Sequence, residues 1–280
     1  MTVPQPTPQA ITVGVLALQG AFSEHIQLLR SASRQHPAYA FTLLEVRTPE
    51  QLSQCDALII PGGESTTMSL VASRSNLLEP LRSFVKVLRR PTWGTCAGLI
   101  LLAESANRTK KGGQDLVGGL DVRVRRNHFG RQQESFIRPL NLPFLEGGKA
   151  DKKGEPYRCV FIRAPVVEKI LPHRREGEQD GEKCLDDTVI APSQTPGDEL
   201  ARQELNAEVE VMATLSADET QGEQEQGHED IIAVRQGNVF GCSFHPELTD
   251  DARIHAWWLG EVARAVERRR EFELVDRTKA

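Results

Sequence analysis

The chain predicts an α/β protein built on an open, mostly parallel sheet flanked by helices in three layers. Between Ile11 and Leu102, apolar runs of strand length alternate with stretches whose apolar residues recur at helical spacing. That order builds sheets covered by helices on both faces. Gln19-Gly20 and Pro61-Gly62-Gly63 stop two of the runs with turn-forming residues. Gly94-Thr95-Cys96-Ala97-Gly98 lies between the apolar approach around Trp93 and the run Leu99-Ile100-Leu101-Leu102. This reads as a strand, a very tight turn and a helix, with a cysteine at the apex.

Taken in order, Ile11 to Leu18 is a nearly continuous apolar run, suited to a strand buried on both faces. Phe22, Ile26, Leu28 and Leu29 give a helical stripe up to about Arg34. Phe41 to Val46 and Asp56 to Ile60 read as the second and third strands. Ser65 to about Arg90 is mostly helical, and Pro91 leads into the strand before Cys96. After Gly118 the pattern turns β-rich, at Leu120 to Val124, Arg158 to Ile162, Glu208 to Ala213, Ile231 to Arg235 and Val239 to Phe244. Ile254, Trp257, Trp258, Val262 and Val266 then recur at the spacing of a helix packed on a core.

The net charge of −5 hides an asymmetry. From Glu176 to Glu229 there are 16 acidic residues and two basic ones, so this segment carries −14 and the remainder +9. Around it, 173–206 and 217–230 are rich in Glu, Gln, Asp, Gly and Ser, with few apolar side chains to offset the entropy of ordering. Both are expected to loop out, as low-complexity insertions, from one domain spanning 11–280, behind a disordered arm at 1–10. The basic residues are scattered without an aromatic ladder, so no nucleic acid is expected as a partner. No apolar run approaches the ~18 residues of a membrane span, and the proline-rich start lacks the regions of a signal peptide. Five cysteines, with no C-x-x-C pair, argue against a disulfide framework or zinc site and for a reducing, cytoplasmic setting. No metal or cofactor is expected.

The chemistry starts at Cys96. Glycines two before and two after it remove the Cβ atoms that would clash in so sharp a bend, and the helix N-terminus beyond it favours a thiolate. A small buried cysteine in a glycine-rich turn would give the same five residues, so they do not decide alone. Phe244-His245-Pro246-Glu247 adds to them. If the chain stays extended there, His245 and Glu247 face one way. A thiol attacking a carbonyl carbon needs a base, and the base needs a group to hold its ring. Cys96, His245 and Glu247 supply those parts. Pro61-Gly62-Gly63-Glu64-Ser65-Thr66-Thr67 can bring backbone N–H groups close to a ligand. In an acyl-transfer site its use is an oxyanion hole, with donors from Gly62, Gly63 and the amide of Ala97. A plain turn also fits, whereas a P-loop would need Gly-Lys-Ser/Thr, which is absent.

Six ordered motifs together resemble a known family. They are Leu16-Ala17-Leu18-Gln19-Gly20 with Glu24-His25; Pro61 to Met68; Gly94 to Gly98; Arg126-Asn127 with Phe129-Gly130-Arg131-Gln132; Phe161-Ile162-Arg163-Ala164-Pro165; and His245-Pro246-Glu247-Leu248-Thr249. They look like the glutaminase subunit of pyridoxal 5′-phosphate synthase (the PdxT family), a class I glutamine amidotransferase. The likeness runs from Ile11 to the C-terminal helix and omits the acidic stretches. It implies that Cys96 attacks the side-chain amide of L-glutamine, that His245 is general base and then acid, and that Glu247 orients it. It implies that Gly63, Glu64, Ser65, Arg126, Ile162 and Arg163 hold the substrate; that Arg126 suits the α-carboxylate follows from its charge alone. It also implies a hetero-oligomer with a synthase subunit of (β/α)8-barrel fold, which consumes the ammonia. A non-catalytic scaffold and a free-standing cysteine hydrolase are the alternatives; the intact Cys96, His245 and Glu247 argue against the first.

Overall fold

The computed structural model describes residues 8–107, 114–126, 135–146, 154–173, 188–216 and 229–279. The first half follows the predicted alternation: β1 (Gln9–Leu16), α1 (Phe22–Ser33), β2 (Tyr39–Val46), a short α2 (Pro49–Ser53), β3 (Ala57–Ile60), α3 (Ser65–Arg74) and α4 (Leu78–Arg82). A π-helical turn, Ser83–Val87, then leads to β4 (Thr92–Thr95) and α5 (Ala97–Leu102). The second half holds β5 (Ala103–Asn107), β6 (Leu120–Arg125), β7 (Ser135–Leu140), β8 (Tyr157–Ile162), β9 (Val166–Ile170), β10 (Thr188–Ile190), α6 (Glu199–Leu205), β11 (Glu210–Ser216), β12 (Glu229–Gln236), β13 (Val239–Cys242) and α7 (Arg253–Lys279).

The main sheet runs β10-β5-β6-β9-β12-β13-β4-β3-β1-β2, with β11 also paired to β12. The strands from β2 to β13 are parallel throughout. Antiparallel pairings are confined to the other half, where β5 and β6 are again parallel. Alternate residues of one strand serve opposite faces: Ala57 and Ile59 join Ile26, Leu29, Trp258 and Val262 in one core, while Leu58 and Ile60 join Met68, Leu81, Leu99 and Leu102 in the other. Helices α1 and α7 therefore cover one face and α3, α4 and α5 the opposite one. The predicted three layers follow from this alternation. Of the C-terminal stripe, Ile254, Trp258, Val262 and Val266 are buried as core.

Several expectations change. The stretch 173–206 is not a loop throughout. Thr188–Ile190 pairs antiparallel with β5 as an edge strand, and Ala191 N donates to Glu104 O at 2.9 Å. Asp198 then caps α6 by accepting from Ala201 N at 2.8 Å, and Arg269 from α7 pairs with the same carboxylate. A three-residue strand and a seven-residue helix rest on edge pairing and a cap, not on apolar periodicity, so composition misses them. The expected strand at Arg158 to Ile162 exists, but it pairs only with β7, in a separate two-stranded sheet. The arm is shorter than expected, because Gln9 and Ala10 already belong to β1. Residues 1–7, 174–187 and 217–228 lie outside the described residues, as do Asn127, Phe129–Gln132 and Cys184. Among the described residues no helix is long and apolar enough to cross a membrane.

Candidate active site

Three parallel strand ends meet at the site. β3 delivers the 61–65 turn, β4 delivers Cys96 and β13 delivers His245, in accord with ligand binding at the carboxyl ends of an open parallel sheet. Cys96 has φ 49° and ψ −102°, a backbone conformation that L-residues rarely adopt. It is anchored by Cys96 N donating to Cys242 O at 2.8 Å. The flanking glycines leave room for the bend. A Cβ on Gly94 would lie 2.5 Å from the Gly98 carbonyl carbon, and one on Gly98 would lie 2.0 Å from Ile60 O.

His245 Nδ1 lies 2.7 Å from Glu247 Oε1, and His245 N donates to Val160 O of β8 at 2.8 Å. The geometric premise behind their pairing differs from the expected one. β13 ends at Cys242, and Pro246–Leu248 forms a 3₁₀ turn, so a turn and not an extended strand folds Glu247 back onto the ring. Burial opposes charge on His245, but hydrogen bonds and charge interactions with Cys96 and Glu247 outweigh it and raise the ring to about 10. Burial likewise pushes Glu247 up, yet the facing histidines hold its carboxyl below the ordinary range. Gly62 is wedged beside both partners: a Cβ there would lie 2.3 Å from His245 Cε1 and 3.4 Å from Cys96 Cβ.

The remaining predicted residues form two groups. Ile162 sits against the thiol, with Cys96 Sγ 3.8 Å from Ile162 O, and the adjacent Arg163 is exposed with φ 43°. Ser65 and Arg126 form the second group, with Arg126 Nη1 donating to Ser65 Oγ at 3.1 Å. Glu64 is occupied as the cap of α3, accepting from Thr66 N and Thr67 N. Burial pushes its carboxyl up, but these hydrogen bonds and those from the threonine hydroxyls bring it down to about 2. A Cβ on Gly63 would lie 3.1 Å from Met68 Sδ and 3.2 Å from Gln19 Oε1, and Ala97 opens α5 directly after Cys96.

Sequence reasoning gave no site role to the residues that tie these groups together. Gln114 Oε1 accepts from Ser65 Oγ, Thr66 Oγ1 and Arg126 Nη1 at 3.0, 3.2 and 2.6 Å. Gln19 Oε1 accepts from Glu64 N at 3.1 Å. Behind Glu247 stand two fully buried histidines, His25 and His255. Gln114 gave no local signal, but His25 did: it falls on the apolar face of α1 with Ile26 and Leu29, where a polar ring needs a partner. Among the described residues no group of His, Cys, Asp and Glu has metal-ligand geometry.

A thiol on a strained elbow, an imidazole against it and a carboxylate behind the ring are the parts that thiol attack on a carbonyl group requires. The chain belongs to the SNO glutamine amidotransferase family, whose model matches residues 15–197 and 206–264. It is 42% identical over 252 residues to a probable pyridoxal 5′-phosphate synthase subunit PDX2 of Arabidopsis thaliana, covering 89% of this chain and 85% of that one. To the pyridoxal 5′-phosphate synthase subunit PdxT of Herpetosiphon aurantiacus it is 39% identical, covering 89% of this chain and all of that one. A solved glutamine amidotransferase superposes with a TM-score of 0.59 at 33% identity, covering 90% of this chain and 98% of its own.

Proposed function

We infer that this chain is the glutaminase subunit of a pyridoxal 5′-phosphate synthase, hydrolysing L-glutamine to L-glutamate and ammonia for vitamin B6 biosynthesis. The observation that carries the chemistry is Cys96 held at φ 49° beside a His245 ring that is itself fixed on Glu247 at 2.7 Å. With His245 raised to about 10, the ring holds a proton at neutral pH. That proton comes from the Cys96 thiol, and the thiolate Sγ adds to the amide carbon of glutamine. As the C–N bond breaks, His245 gives its proton to the nitrogen, ammonia leaves and a γ-glutamyl thioester remains. Water then attacks the thioester, His245 takes its proton, the C–S bond breaks and glutamate departs.

Gly62, Gly63 and the amide of Ala97 serve the oxyanion. Gly63, Glu64, Ser65, Arg126, Ile162 and Arg163 bind glutamine, with the Arg126 guanidinium on the α-carboxylate. Because the Glu64 carboxylate caps α3, its contribution to binding comes from its backbone. The ammonia passes to a synthase subunit of (β/α)8-barrel fold, in a cytoplasmic hetero-oligomer. Ammonia and glutamate measured with and without a co-expressed synthase subunit test the assignment. Stoichiometric release that rises when the partner is present is the expected result. Activity on peptides or esters, with none on glutamine, would overturn it.

Glu247→Gln gives a second test. It removes the charge that helps raise the His245 ring and leaves at most a neutral amide acceptor in place of the charge-assisted one, so the ring titrates at lower pH. In the wild type the charged ring contributes stability fully below its ordinary 6.5, and that contribution is lost as pH rises through about 10. The proton for the leaving nitrogen is lost over the same interval, so kcat/KM falls there. In Glu247→Gln that falling limb shifts to lower pH, and kcat drops by about 10²–10⁴. An unshifted profile at full rate would show that Glu247 does not orient the base.

A further inference from the structure

The mechanism above uses one oxygen of Glu247 and leaves the other unexplained. Glu247 Oε2 is buried and makes no aligned hydrogen bond, yet His25 Nε2 stands 3.3 Å away. His25 Nδ1 in turn lies 3.0 Å from His255 Nε2, and Thr95 Oγ1 is 3.5 Å from His25 Nε2. Both rings are fully buried and pack edge-on against Trp93. Cys96, His245, Glu247, His25 and His255 thus form one continuous line of polar groups through the core, assembled from β4, β13, α1 and α7.

We propose that His25 is a positioning residue of the reaction: a neutral imidazole whose protonated Nε2 stands 3.3 Å from the second oxygen of Glu247, with its own orientation set by His255. Glu247 is then clamped between two rings, one oxygen on each. This rests on the Cys96–His245–Glu247 reading.

The proton positions follow from both ends of the line. The His25–His255 contact needs one donor and one acceptor. If His25 Nδ1 carried the proton, its bare Nε2 would face a carboxylate oxygen at 3.3 Å, lone pair against lone pair, with only the more distant Thr95 hydroxyl at 3.5 Å to donate to it. His255 would then accept at Nε2 and carry its proton on Nδ1, which is buried without a partner. A buried N–H without an acceptor is rarer and costlier than a bare acceptor. With the proton on His25 Nε2, His255 Nε2–H donates to His25 Nδ1, and only an acceptor is left over. The carboxylate at one end and the orphan nitrogen at the other select the same tautomers. Burial drives both rings down to about 3, against the opposing pull of Glu247 on His25. His25 therefore meets Glu247 as an N–H dipole and not as a cation.

The functional consequence is directional. A carboxylate anchored by one oxygen can swing about its Cγ–Cδ bond and carry the His245 ring with it, and misplacement of about 1 Å is worth about a hundredfold in rate. His25→Leu, measured as the full chain with its synthase partner, is expected to lower kcat by about 10–100-fold, the scale seen for outer-shell partners of metal ligands. KM for glutamine should stay within about threefold. His25→Gln, which retains an N–H at comparable reach, should recover most of the loss. A His25→Leu enzyme with wild-type kcat, alongside an inactive Cys96→Ala, would overturn the clamp and leave the triad standing. Ammonia release by Cys96→Ala would instead overturn the triad. Should His25→Leu fail to fold, ¹⁵N spectra of histidine-labelled wild-type protein decide. Two buried rings protonated at Nε2 and bare at Nδ1 are expected, and a Nδ1–H tautomer at His25 would sink the proposal.

Discussion

Cys96→Ala will abolish ammonia release from glutamine, by about 10⁴-fold or more beside the synthase partner, while the protein remains folded. The reason lies in the backbone as much as in the sulfur. Residue 96 sits at φ 49° and ψ −102°, where any side chain bearing a Cβ is strained by about 1–3 kcal/mol. Glycine escapes that strain, so Cys96→Gly should be as inactive as the alanine variant yet more stable, by about 1 kcal/mol in chemical denaturation. Alanine keeps the Cβ and the strain, so its stability should stay near wild type. A cysteine present only for packing would give the opposite pattern, because losing its buried contacts destabilises. Ammonia assays and urea titrations on the three proteins separate the two cases. Turnover by Cys96→Ala, or loss of stability in Cys96→Gly, would count against a strained nucleophile.

How much of this was legible in the sequence depends on the range over which each feature is encoded. β1, β3 and the elbow are local: apolar runs of strand length closed by glycine, each readable within a few residues. Cys96, His245 and Glu247 were found because a nucleophile, a base and a carboxylate have recognisable neighbours in the chain. Their geometry was less legible, since the 3₁₀ turn at Pro246–Leu248 brings Glu247 back where extended alternation was expected. β10 and α6 were hidden because a polar segment can be held by an edge and a cap. Gln114 meets Ser65 across 49 positions, and His25 meets His255 across 230. Partner choice at such separations is written in the packing of α1 on α7 and of α3 beside the 114–117 segment, not in any local pattern.

Gly98→Ala is expected to do the most damage to the fold for the fewest atoms added. The added methyl would lie 2.0 Å from Ile60 O, 3.0 Å from Ile60 C and 3.3 Å from Ile60 Cβ. These belong to the last residue of β3, whose neighbour on the sheet is the strand that carries Cys96. Neither side can yield cheaply. Ile60 is fully buried, and its register partner on the neighbouring strand, Gly94, is just as close to α5, with its own Cβ position 2.5 Å from the Gly98 carbonyl carbon. The only relief is for α5 to move away from β3 by about 1 Å, opening space among Leu99, Ile100 and Met68 in a core that tolerates little change. Overpacking of this kind costs about 3 kcal/mol, which for a domain of this size lowers Tm by roughly 6–12 °C. Because Ala97 opens α5 directly after Cys96, the same shift displaces the sulfur from His245, and ammonia release should fall by about a hundredfold even well below the lowered Tm. Gly260→Ala on α7 is the control: its Cβ would meet only an arginine tip at 3.8 Å and the His36 ring edge at 3.3 Å, which must shift by a few tenths of an ångström against its hydrogen bond to Ala256 O. There the gain in helix propensity of about 1 kcal/mol should leave stability and turnover near wild type. Equal behaviour of the two alanine variants would show that the contact between β3 and the elbow does not set the position of Cys96.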